Sequence, residues 1–79
     1  MANDQQRDLI AANVRAEVAR QGRRHNDAAA VLGIHKANLS RRMRGEVAFR
    51  ADELALLADW LGVPIASLVH PNNVTGVAV

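Results

Sequence analysis

The chain has 79 residues, 49% of them hydrophobic, with 10 Lys and Arg against 8 Asp and Glu and no cysteine. That length makes one domain near the lower size at which a core alone suffices, and the lack of cysteine excludes disulfides and thiolate metal sites and is compatible with a reducing compartment. The polar start MANDQQRD lacks an apolar signal region, and Asp59 interrupts the most apolar stretch well short of the ~20 residues a membrane span needs, so a soluble, non-exported, cytoplasmic protein is expected.

The first helix is predicted over Asp4 to Gln21. Ile10, Val14 and Val18 recur every four residues and Ala11 widens the stripe, while Asn13, Arg15, Glu17 and Arg20 stay off it. Asp4 and Asp8 near its start and Arg20 near its end suit the helix dipole, and Gly22 stops it. No chemistry is suggested here. Arg23, Arg24, His25 and Asn26 lead into a second helix, Asn26 to Leu32, with Asn26 as N-cap and Asp27 in the first turn.

The stretch from His25 to Gly45 organises the rest. Ala29 lies inside the second helix, Gly33-Ile34 at a tight turn and Leu39 inside a third helix, His35 to Met43. Two helices cross closely and steeply only where the contact residue is small, and the chain bends most cheaply at Gly. Leu32, Ile34 and Leu39 then dock the pair on the domain, and Arg41, Arg42 and Arg44 carry charge outward. This is the pattern of a helix-turn-helix. Between Arg20 and Arg50 eight basic residues stand against Asp27 and Glu46, a balance of +6, whereas the remainder balances to −4. A basic block centred on such a motif is the electrostatic footprint of a phosphate-binding face. Only Phe49 and Trp60 are aromatic, too few stacking platforms to favour RNA.

Gly45 fits a left-handed C-terminal cap, and Phe49 fits an apolar staple on the next helix. That fourth helix runs from Ala51 to Leu61, with Leu54, Leu57, Ala58 and Leu61 on one stripe and Asp52 and Glu53 at its positive end. Leu56 and Trp60 lie off the stripe; they either pack under the C-terminal segment or form a surface for a second subunit. Pro64 opens a fifth helix to about Val69, with Ile65, Leu68 and Val69 apolar. Residues 70–79 form a tail that is either disordered or packed on a partner, where Val74 and Val77 would join the dimer surface.

From His25 to Gly45 the chain resembles the phage Cro and lambda-type repressor helix-turn-helix family. Ala29, Gly33, Ile34, Leu39, Ser40 and Gly45 fall on that family's pattern with the spacing intact. The likeness continues through Glu53-Leu54, Leu57-Ala58 and Leu61-Gly62-Val63, and covers about residues 7 to 69. His25 stands where the family prefers Gln, Ala28 where it prefers Leu, His35 where it prefers an N-capping Ser, and Arg42 where an apolar residue is frequent. The resemblance implies an all-α, lambda repressor-like bundle of about five short helices. It implies base reading in the major groove of double-stranded DNA by Lys36, Ala37, Ser40 and Arg41, with Asn38 at the margin, Arg41 and Lys36 suited to guanine and Ala37 to a thymine methyl. It implies phosphate contacts from His25 and Asn26 at the start of the second helix, aided by Arg23 and Arg24, and from Arg44, with Arg42 and Arg50 secondary. His25 reads equally well as an exposed loop histidine.

Residues 1–69 are therefore expected to be a DNA-binding domain, and the protein a repressor that occludes a promoter as a homodimer on an inverted repeat. The alternative is a helix-turn-helix antitoxin, excision or accessory factor whose main task is binding another protein. An enzyme is not expected, nor a cofactor, metal or small-molecule substrate. His25, His35 and His70 lack metal-ligand spacing, no Gly-rich phosphate loop is present, and Ser40 has no recognisable base.

Overall fold

The computed structural model describes residues 2–71, with side chains from residue 5 onward. Among these residues the chain is all-helical: α1 (Ala2–Arg20), α2 (His25–Leu32), α3 (Lys36–Met43), α4 (Ala51–Leu61) and α5 (Ala66–Val69). Helix α1 packs against α3 and α5, and α2 packs against α3 and α4. Val14 and Val18 from α1, Leu39 and Met43 from α3, Leu54, Leu57, Ala58 and Leu61 from α4, and Leu68 from α5 converge on one core. Ala28 and Ala29, both buried, are the contribution of α2. Their small side chains let α2 approach two helices at once, while each fully buried Leu or Val stabilises the assembly by roughly 1.5–3 kcal/mol.

Helix α4 has the bounds the periodicity predicts, and the other differences are local. Helix α2 starts at His25 because Arg24, extended at φ −101° and ψ 145°, is its N-cap. The Arg24 carbonyl accepts from the N–H groups of Asp27 and Ala28 at 3.1 and 3.2 Å, so Asn26 lies inside the first turn and does not cap it. Helix α5 is shorter than expected. Ser67 and Leu68 donate to the carbonyls of Pro64 and Ile65 across three residues, which makes Pro64-Ile65 a tighter lead-in turn and not the body of the helix. Phe49, half-buried against the core, precedes the Arg50 N-cap, with Leu54 at the fourth helical position, the two places a hydrophobic staple occupies.

The sequence pattern misplaces Asn13. It is buried, and its Nδ2 donates to the carbonyls of Leu68 at 3.1 Å and His70 at 2.7 Å. With α3 and α5 both packed on α1, the buried face is wider than the apolar stripe. An amide is tolerated there because the last carbonyls of a helix have no partner within it. Two further residues of the same region act alike: Gln21 Nε2 donates to the Leu61 carbonyl at 2.8 Å, and Arg15 donates to the Met43 carbonyl. One helix and the turn after it thereby supply donors to the C-terminal ends of α3, α4 and α5.

Candidate nucleic-acid interface

The turn between α2 and α3 is built from backbone alone. Gly33 takes φ +68°, and the N–H of Ile34 returns to the Ala29 carbonyl at 3.1 Å, which closes the end of α2. His35 is extended and its carbonyl accepts from Leu39 at 3.0 Å, which starts α3. Ala29, 3% exposed, provides the small contact at the crossing. Leu39 and Met43 fasten α3 to the core, and the opposite face presents Lys36, Ala37, Asn38 and Arg41 to solvent. Ser40 is half-buried at the edge of that face. Among the described residues, Lys36 and Arg41 make no side-chain hydrogen bond or ion pair.

The basic residues around α3 do not form one uniform patch. Arg24 and His25, exposed at the start of α2, have no side-chain partner among the described residues. Asn26 is also exposed there, and no side chain caps this helix end. Arg23 instead lays its guanidinium 4.6 Å from the centroid of the Trp60 ring, with Nε 2.9 Å from Gln21 Oε1. Arg42 turns inward: its Nε donates to Glu53 Oε1 at 3.0 Å, and its side chain is 15% exposed. Arg44 and Arg50 project into solvent, each paired with a carboxylate two residues on, Glu46 and Asp52. The hydrogen bond from Arg44 is the main cause holding the Glu46 carboxyl below its ordinary value, and the same bond raises Arg44.

Glu53 is the residue whose role sequence reasoning missed. The sequence presents it as a charge suited to the helix dipole, yet it is 6% exposed and accepts from both Arg42 and the Arg50 backbone N–H, the latter at 2.9 Å. A Glu at the third position of a helix, able to reach back to the N-cap N–H, was the available signal. Leu56 and Trp60, for which the sequence leaves core packing or a subunit surface open, go separate ways. Leu56 is 47% exposed, whereas Trp60 is half-buried against the core beneath Arg23. Val74 and Val77 lie outside the described residues.

Two helices crossing at a small residue, with a glycine turn and a second helix that turns polar and basic groups outward, define a helix-turn-helix domain. The model of the helix-turn-helix domain family matches residues 9–70, and the chain belongs to that family. The crystal structure of a hypothetical transcription factor, NHTF, from Neisseria is similar in fold, with a TM-score of 0.81 at 21% identity over 96% of this chain and 88% of that one. No curated protein matches by sequence. Among the described residues, no helix is long and apolar enough to cross a membrane.

Proposed function

We propose that the protein is a sequence-specific transcriptional regulator of the phage Cro or immunity-repressor kind, which places α3 in the major groove and occludes a promoter. The observation that carries this reading is the division of α3 into a face docked by Leu39 and Met43 and an opposite face on which Lys36 and Arg41 make no hydrogen bond or ion pair among the described residues. A major groove admits one helix, and Arg and Lys at its exposed positions match the O6 and N7 acceptors of guanine. Ala37 and Asn38 stand on the same face, with Ser40 at its margin. Arg24, His25 and Asn26 at the uncapped start of α2, together with Arg44 and Arg50, are the proposed phosphate contacts. Arg23 and Arg42 are assigned structural tasks, on Trp60 and Glu53.

One recognition helix reads few base pairs, so specificity calls for two copies on an inverted repeat, and a homodimer on DNA is part of the proposal. The exposed Leu56 favours a second reading, an antitoxin, excision or accessory factor that uses the same domain to hold a partner protein.

Selection of bound duplexes from a random library at near-physiological salt separates the two. An inverted repeat with half-sites about one helical turn apart supports the dimeric regulator. A single half-site removes the dimer, and no enrichment sinks the specific-regulator reading in favour of a protein partner. Arg41→Ala is expected to relax preference at one base pair at a cost of about 1–3 kcal/mol; a uniform loss over all sequences would make Arg41 a phosphate contact.

A further inference from the structure

Two arginines of the basic block are met by counterions, one from inside the block and one from just beyond it. Arg44 meets Glu46 fork to fork, Nε to Oε2 at 2.8 Å and Nη2 to Oε1 at 3.3 Å. Arg50 meets Asp52 more loosely, with one hydrogen bond from Nη2 to Oδ2 at 3.4 Å and Nε 3.3 Å from Oδ1. All four side chains are more than half exposed, so neither pair is part of the core. The stretch from Arg44 to Asp52 therefore has no net charge, although it adjoins the proposed recognition helix. Lys36 and Arg41, in contrast, make no side-chain hydrogen bond or ion pair among the described residues, although the nearby Arg41 charge, after the Arg44 bond, also helps to hold the Glu46 carboxyl below its ordinary value. Glu46 is also fixed in place, since its backbone N–H donates to the Arg41 carbonyl at 2.9 Å.

Resting on the DNA-binding reading above, we infer that Glu46 and Asp52 are affinity-limiting residues that compete with DNA phosphates for Arg44 and Arg50. A phosphate contact by either arginine must break an ion pair and leave a carboxylate beside the DNA backbone. That cost falls on every duplex alike, because phosphates carry no sequence. It is modest, because an exposed pair contributes little in water. An arginine already neutralised by its own carboxylate also displaces fewer counterions, so binding depends less steeply on salt. The device damps the grip on DNA at large, because the two arginines it holds lie outside the base-reading face.

The test compares the wild type with Glu46→Gln, Asp52→Asn and Asp59→Asn on a selected duplex and on a scrambled duplex of equal length, between about 50 and 200 mM salt. Gln keeps the size of Glu46, and Asn keeps the acceptor with which Asp52 Oδ1 takes the Glu53 N–H at 2.9 Å, so both variants retain the local fold. Asp59→Asn makes the same change in net charge at the far end of α4. Glu46→Gln and Asp52→Asn are each expected to tighten both duplexes by the same factor, about two- to fivefold, and to steepen the salt slope by about one. Asp59→Asn should do neither. Unchanged affinity, a change confined to the selected duplex, or equal tightening by Asp59→Asn would overturn the inference. If the wild type binds neither duplex, the DNA-binding reading itself falls, and this inference with it.

Discussion

Glu53 shows how one carboxylate is made compatible with a core. Its side chain is 8% exposed, and Oε1 accepts from the Arg42 guanidinium and from the N-cap N–H of α4. Arg42 in turn donates from Nη1 to the Asn38 carbonyl at 3.2 Å, so the pair joins the middle of α3 to the start of α4. Removing one partner of a shielded ion pair leaves the other charge uncompensated, whereas replacing both with apolar groups removes the desolvation cost too. Glu53→Ala is therefore expected to cost about 2–4 kcal/mol, discounted for the partial exposure of Arg42. The double replacement Arg42→Met/Glu53→Met should cost less than Glu53→Ala alone. Urea unfolding of the two proteins checks the order, and equal losses would show that the capping bond to Arg50 outweighs the ion pair.

At the scale of elements, the turn inside the helix-turn-helix and the turn that ends it use glycine for different reasons. Gly33 takes φ +68° with nothing within 4 Å of the position a Cβ would occupy, so its constraint is the backbone conformation alone. Gly45, at φ +80°, also lies against α1: a Cβ there would stand 2.5 Å from Asp8 Oδ1. The turn at Gly45 is closed by Gly45 N–H to the Arg42 carbonyl at 3.1 Å and Glu46 N–H to the Arg41 carbonyl at 2.9 Å, the double bond of a Schellman cap. Gly33→Ala should cost about 1–2 kcal/mol, the penalty of a left-handed conformation for an L-residue. Gly45→Ala should cost only slightly more, because the exposed Asp8 carboxylate can swing away from the new Cβ, and that small excess should disappear in an Asp8→Ala background. Thermal unfolding of the single and double variants measures it; an excess that persists without Asp8 would place the strain in the cap itself.

For the whole molecule, α1 and the turn after it hold the other helices by their ends. Asn13 serves α5, Arg15 serves α3 and Gln21 serves α4, each by donating to carbonyls that a helix C-terminus leaves without internal partners. The packing of α2 on α3 and α4 is, by contrast, apolar. Asn13→Leu keeps the approximate volume but leaves the Leu68 and His70 carbonyls unpaired, at an expected cost of about 1–3 kcal/mol. Hydrogen exchange should show α5 losing protection while α2 and α3 keep theirs. Uniform loss across the chain would mean that α5 does not open separately from the rest.

The periodicity of Leu54, Leu57, Ala58 and Leu61, the small Ala29 and the glycine turn sufficed to determine the all-helical fold and the helix-turn-helix, because helix period, crossing distance and turn conformation are local properties of the chain. The proposed base-reading face came from the resemblance to the Cro and lambda-type family, which turns Lys36, Ala37, Ser40 and Arg41 outward with Asn38 at the margin; in the structure Lys36, Ala37 and Arg41 are exposed, but Asn38 is exposed too and Ser40 is half-buried. The fate of the other charges was not legible in the sequence. Arg42 and Glu53 are eleven residues apart and meet only because the loop folds α4 back on α3, Arg23 reaches a tryptophan of another helix, and Asn13 is buried by the arrival of α5. A charge block read along the sequence adds its residues as if all were free. Only the tertiary structure decides which of them remain available to a partner, because ion pairing and desolvation depend on distances through space that no local pattern encodes.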